Sequence, residues 1–137
     1  TGDVHLSLAQ NVPLSGVLLV STPQTAALEV TLRGAQMYKK LGVPIFGLAE
    51  NMGHAICGNC QSTINLFKNV SPKFVEKMET QVLASLPVDG NISECCDEGV
   101  PMVAKHPESE YAKSFNSLAE QILRQLDSAN QVKEQVN

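Results

Sequence analysis

The feature that most constrains this chain is the stretch Val43 to Cys60, VPIFGLAENMGHAICGNC. A short apolar run, Ile45-Phe46-Gly47-Leu48, is bounded by Pro44 on one side and by Glu50-Asn51 on the other, which predicts a buried strand over Val43 to Leu48. A polar residue just past the carboxyl end of such a strand lies where open α/β sheets bind ligands, so Asn51 is a candidate site residue. Two thiols follow in Cys57-Gly58-Asn59-Cys60. From Asn51 to the next helix signal at Ser71-Pro72 the chain runs about 20 residues, against roughly 4–6 for an ordinary connection. A loop of that length (about residues 51–70) that carries two cysteines reads as functional.

The rest of the chain is organised around this stretch. Val17-Leu18-Leu19-Val20 is a continuous apolar run, as expected of a parallel strand covered on both faces. Thr22 and Pro23 then read as the cap and first position of a helix. Leu28, Leu32, Ala35, Tyr38 and Leu41 form its apolar stripe and Gly42 its stop. Ser71-Pro72 opens a short helix through about Met78, Val82 to Leu86 reads as a third strand closed by Pro87, and Asn91 to Glu98 as a helical turn stopped by Gly99 and Pro101. Pro107 opens a last helix, with Tyr111, Phe115, Leu118, Ile122 and Leu126 on one face. Asp3 to Gln10 reads either as a strand, from the alternation of Val4, Leu6 and Leu8, or as a helix capped by Asp3. Residues 127–137 lack apolar periodicity and are expected to be a fraying polar tail.

Strands alternating with helices predict an α/β fold, a partial parallel sheet with right-handed crossovers. Three strands make a thin sheet, so the carboxyl-terminal part of a larger α/β domain is expected.

A net charge of −4 leaves no basic footprint, and no nucleic acid partner is expected. No apolar stretch reaches the roughly 20 residues that span a bilayer, and no transmembrane segment is expected. The first residues, Thr1-Gly2-Asp3, show no initiator Met and no signal pattern, so the chain reads as starting within a larger protein. The four cysteines are Cys57, Cys60, Cys95 and Cys96. Their arrangement is not that of a small secreted scaffold, and it points to metal or redox chemistry in a reducing compartment.

Thiolates two residues apart can face one ion or cluster, and Gly58 permits the tight turn this needs. Two ligands are too few for zinc or an iron–sulfur cluster. The others must come from Cys95 and Cys96, from a histidine such as His54, or from a second copy of the chain. A thioredoxin-type redox site would start a helix at the CxxC, and Gln61-Ser62-Thr63-Ile64-Asn65 is a poor helix start. The bland reading is two unused thiols in a loop. For Asn51, the side-chain amide matches the N6/N7 edge of adenine, or it serves a turn. Asp89, two residues past Pro87, is either a second residue at the same rim or a cap for the turn at Ile92. Cys95-Cys96 reads as the buried and exposed sides of one short helix. No Ser-His-Asp set stands out, and the 137 residues contain no GxxxxGK[ST] phosphate loop.

The ordered set Thr1-Gly2-Asp3, Val20-Ser21-Thr22-Pro23-Gln24, Gly47-Leu48-Ala49-Glu50-Asn51-Met52, Cys57-x-x-Cys60, Leu86-Pro87-x-Asp89-x-x-Ile92 and Asp97-x-Gly99-x-Pro101 resembles the Mrp/NUBPL family over roughly residues 1 to 126. These are deviant-Walker P-loop NTPases that carry iron–sulfur clusters to other proteins; the mitochondrial members that serve respiratory complex I look nearest. The resemblance implies that Cys57 and Cys60 hold a [4Fe-4S] cluster across a homodimer, two ligands from each copy. It implies that Asn51, Pro87 and Asp89 line the base pocket of ATP, and that Gly2 and Asp3 end the segment that senses the γ-phosphate. Recipient apo iron–sulfur proteins and a mitochondrial matrix location follow from it in the same way. Gly58 stands where the family usually has Pro, and Thr25 where it usually has an acidic residue. With no phosphate loop in the sequence, the chain by itself is expected not to hydrolyse ATP. Without the resemblance, a zinc-stapled interaction module and a CxxC thiol oxidoreductase remain the alternatives.

Overall fold

The computed structural model describes residues 2–60, 62–67 and 70–135, with side-chain surroundings as far as residue 128. Thr1 and Gln61, named above, lie outside the described residues.

Asp3–Asn11 is helical (α1), which resolves the ambiguity there, although none of its residues is buried. Val17–Ser21 (β1) leads into Thr25–Lys40 (α2). The helix starts later than Thr22-Pro23 indicates. Pro23 is buried, Gln24 is extended, and the first helical bond runs from the Leu28 N–H to the Gln24 carbonyl. At the other end Gly42 takes φ 72°, and the bonds from Gly42 to Lys39 and from Val43 to Tyr38 close the helix as a Schellman motif.

The second strand is where the sequence reading fails most. It covers Ile45–Ile56 (β2) rather than Val43 to Leu48, and it carries straight through Asn51. Thr63–Asn65 (β3) folds back against its end, pairing antiparallel. The expected long irregular loop is therefore largely a hairpin, and among the described residues the sheet is mixed, with four strands instead of three. Pro72–Met78 (α3), Val82–Val88 (β4) and Asn91–Glu98 (α4) follow near their expected places. A further short helix, Met102–Lys105 (α5), precedes Glu110–Gln135 (α6). Ser109, not Pro107, opens α6: its Oγ accepts the Ala112 N–H at 3.1 Å. The helix runs on to Gln135, past the point near Asp127 where fraying was expected.

β2 is central, parallel to both β1 and β4. One cluster of the core joins β1 and β2 to α2 and α3 through Leu19, Leu28, Ala35, Leu48, Val70 and Met78. α6 lies along β4 and sends the Gln121 and Gln125 amides to the carbonyls of Leu83 and Phe46, each at 3.1 Å. Close packing also fixes where β2 can lie. A Cβ added at Gly47 would sit 2.3 Å from Leu83 Cγ. β1, however, is not covered on both faces: Val20 is 56% exposed, and among the described elements β1 pairs only with β2.

Candidate functional site

β1 ends opposite Glu50, at the Ser21–Glu50 pair. β2 continues past that point, and since β4 holds its other flank throughout, β3 takes up the side that β1 vacates. The cysteines sit at the tip of this β2–β3 hairpin. The ladder reaches them: the Cys57 N–H donates to the Ser62 carbonyl at 2.9 Å. Cys57 is half-buried and Cys60 exposed.

Cys60 Sγ lies 3.0 Å from Ser62 Oγ. Hydrogen bonding from the Ser62 hydroxyl, then from the Ser62 backbone and the Cys57 thiol, lowers the Cys60 pKa to about 7 from the ordinary 9.0. Thiolate is the form that binds metals and attacks electrophiles. In metal-free protein the alkylation rate at Cys60 is therefore expected to rise with pH through a midpoint near 7 and then level off. Ser62→Ala should move the midpoint upward, as iodoacetamide labelling followed by mass spectrometry would show; an unchanged midpoint would count against the Ser62 hydroxyl as the cause.

No group of three or more His, Cys, Asp or Glu side chains able to hold a metal exists among the described residues. The histidine and second-cysteine routes to a complete site within one chain are thus not realised. His54 lies on the hairpin ladder, paired with Asn65 and Pro87, and its Nδ1 is 3.4 Å from Ser85 Oγ. Cys95 is 2% exposed on α4 and Cys96 is exposed, the buried and outward positions expected of them. Both line an apolar pocket of about 340 Å³ with Ile92, Met102, Tyr111 and Phe115. Its wall carries no carboxylate, histidine, lysine or arginine and takes no residue of the cysteine hairpin.

Asn51, Pro87 and Asp89 share the carboxyl end of the parallel strands, since Glu50 pairs with Ser85 and His54 with Pro87. Asn51 lies within β2 and not beyond it, and it is half-buried. Pro87 is buried. Asp89 Oδ1 accepts the backbone N–H of Asn91 at 2.9 Å and its side-chain amide at 2.8 Å, so it tethers the start of α4, the blander of its two readings. Gly2 and Asp3 begin α1, and among the described residues no hydrogen bond links them to Asn51, Pro87 or Asp89.

Sequence reading passed over Glu50. It is a carboxylate only 7% exposed, set against Gly53 and Ser85, where a Cβ on Gly53 would come within 3.1 Å of the Glu50 carboxyl and 2.7 Å of Ser85 Oγ.

Comparison with known proteins adds the following. A ParA family model described as NUBPL iron-transfer P-loop NTPase matches residues 1–123. The iron-sulfur cluster transfer protein NUBPL of Dictyostelium discoideum is 39% identical over 131 residues, 95% of this chain and 41% of that protein. The iron-sulfur cluster carrier protein of Escherichia coli is 39% identical over 127 residues, 92% of this chain and 34% of that protein. The chain thus spans well under half the length of these relatives. Among solved structures, the cell division ATPase MinD of Pyrococcus furiosus superposes with a TM-score of 0.62 at 33% identity, covering 80% of this chain and 43% of that one. The α/β fold is that of a MinD-like ATPase.

Proposed function

The chain belongs to the NUBPL iron-transfer P-loop NTPase family, and on that premise we propose that it carries an iron–sulfur cluster as cargo on the Cys57–Cys60 hairpin, for delivery to apo iron–sulfur proteins. One observation carries this reading: two thiols two residues apart, one with its pKa lowered to about 7, stand at the tip of a hairpin and lack a third ligand among the described residues. A [4Fe-4S] cluster takes four thiolates. A second copy of the chain supplies the other two, by a twofold axis near the tip. Ile64 at 49% exposure, Leu66 at 46% and Val88 at 41% lie on or directly after the strands that pair with the hairpin's β2 arm, and they give such a partner apolar surface to cover.

In this reading Asn51, Pro87 and Asp89 address the base of ATP at the sheet's carboxyl end, and Gly2 and Asp3 belong to a switch segment. Nucleotide hydrolysis is not assigned to these 137 residues alone, for want of a phosphate loop. No described helix is long and apolar enough to cross a membrane. The mitochondrial matrix and respiratory complex I, as compartment and recipient, rest on the family resemblance.

A CxxC at a hairpin tip is also a zinc-ligand arrangement, so a zinc-stapled interaction module is the second reading. The oxidoreductase reading lacks the helix N-terminus that activates such thiols, since Thr63–Asn65, the next described element after Cys60, is a strand. Anaerobic reconstitution with ferrous iron and sulfide tests the proposal. The expected result is a brown protein with broad absorption near 400 nm and iron and sulfide in a ratio of one, in a dimer. A colourless protein that retains zinc as a monomer would overturn it.

A further inference from the structure

The hairpin does not simply prolong β2. Between Glu50 and His54 three residues of β2 face one residue of β4, since Glu50 pairs with Ser85 and His54 with Pro87. Within this bulge Met52 takes φ 58°, in the left-handed region that residues with a side chain seldom enter. Among described non-glycine residues Glu79 shares this feature, but Glu79 ends a helix, where it is ordinary. Met52 is in mid-strand and 43% exposed, so side-chain packing does not dictate its conformation. The next residue, Gly53, is buried, and a Cβ there would come within 2.7 Å of Ser85 Oγ and 3.1 Å of the Glu50 carboxyl, so a side chain would have to displace them.

We propose that the Met52–Gly53 bulge is a positioning element: Glu50 and Ser85 clamp Gly53, and the left-handed turn at Met52 aims the hairpin so that Cys57 and Cys60 stand clear of the sheet rim. This rests on the reading of the tip as the cluster-bearing site. Strained backbone persists where its surroundings over-determine it, and such points gather at functional sites. Here the strain lies on the single strand that joins Asn51 to the cysteines. The four residues concerned touch no cargo; they act through the hairpin they orient.

The test uses the whole chain and varies backbone preference at an exposed position. Met52→Gly and Met52→Asn accept the left-handed region, whereas Met52→Val resists it. Gly53→Ala is a second disruption that acts through the clamp. In metal-free protein, Met52→Val and Gly53→Ala should raise hydrogen exchange of the Cys57 and Leu66 amides at least tenfold. These amides bond to Ser62 and Gly53 across the hairpin, while the core amide of Leu48, bonded to Gln81, should keep its protection. Iron uptake from ferrous iron and sulfide should fall at least fivefold in the same two variants. Met52→Gly and Met52→Asn should match the parent in both measurements. Parent-like behaviour of Met52→Val, equal losses in Met52→Gly, or a simultaneous rise at Leu48 would each overturn the proposal. If the parent takes up no iron while the exchange series behaves as stated, the bulge stands as the element that orients the hairpin and the cluster reading falls.

Discussion

Cys57→Ala and Cys60→Ala are each expected to abolish bound iron and metal-dependent dimerisation together, whereas Cys95→Ala and Cys96→Ala keep both. The grounds are geometric. Cys95 and Cys96 are consecutive on α4, so their side chains diverge by about 100°, and they are in fact split between a buried and an exposed position. Neither belongs to a group of potential ligands with Cys57 and Cys60 among the described residues. Within a twofold dimer, losing one thiol of the hairpin removes two of four cluster ligands at once, and metal sites rarely survive that. Cys95→Ala carries a packing cost instead, of about 1 kcal/mol for a small buried side chain, which would lower the thermal midpoint by a few degrees. Iron analysis alongside light scattering on the four single variants separates these outcomes. Loss of iron in Cys95→Ala or Cys96→Ala, with the protein monomeric throughout, would sink the bridged dimer and favour a metal site closed within one chain.

What the sequence made legible follows the physics of each element. Val17 to Val20 and Val82 to Leu86 are recognisable as strands because parallel strands are apolar throughout. The ends of α2 and α4 are recognisable because Gly42 and Gly99 take the left-handed conformation, φ 72° and 71°, that stops a helix. β2 was cut short because Glu50-Asn51 looks like the end of a buried run. In the folded chain Glu50 stays inside, 7% exposed, since Gly53 leaves room beside it. That accommodation is tertiary and no window of residues displays it. The hairpin itself had a local signal, Gly58-Asn59 flanked by the β-branched Ile56 and by Thr63-Ile64, which is ordinary hairpin chemistry. Past Asp127, α6 continues without an apolar stripe because Ala, Gln, Lys and Glu are good helix formers.

The candidate site divides along the same line. Cys57 and Cys60 stand out as candidates from spacing alone, since a two-residue gap is a local constraint. The count of ligands does not, because whether Cys95, Cys96 or His54 joins them depends on the whole fold. The rule that parallel strands present ligands at their carboxyl ends picks out Asn51 and Asp89 as candidates, but Asn51 lies within β2 and not past its end, and Pro87 comes from the family resemblance alone. Asp89 shows the limit of that rule: it stands at the rim, yet both of its bonds from Asn91 hold the start of α4.

Mg-ATP is expected to bind residues 1–137 with a Kd no tighter than about 1 mM, which corresponds to roughly −4 kcal/mol. The base contacts available cannot exceed this by much. Asn51 offers one paired donor and acceptor, and net hydrogen bonds contribute about 0.5–1.5 kcal/mol each. Pro87 adds modest apolar contact, and immobilising the nucleotide costs at least as much as these gains. Affinity in P-loop proteins resides in backbone amides that cradle the phosphates, with a lysine and Mg²⁺, and the sequence has no GxxxxGK[ST] to build that cradle. Gly2 and Asp3 do not replace it: they sit at the start of α1, which buries none of its residues. Nor does Asp89, whose negative charge would oppose a nearby phosphate. Calorimetric titration should therefore give no saturable heat up to 1 mM Mg-ATP. Adenosine should bind as weakly as ATP, because the phosphates contribute nothing here. Submillimolar binding, or a preference for ATP over adenosine of tenfold or more, would mean that this chain holds phosphate by groups other than a phosphate loop.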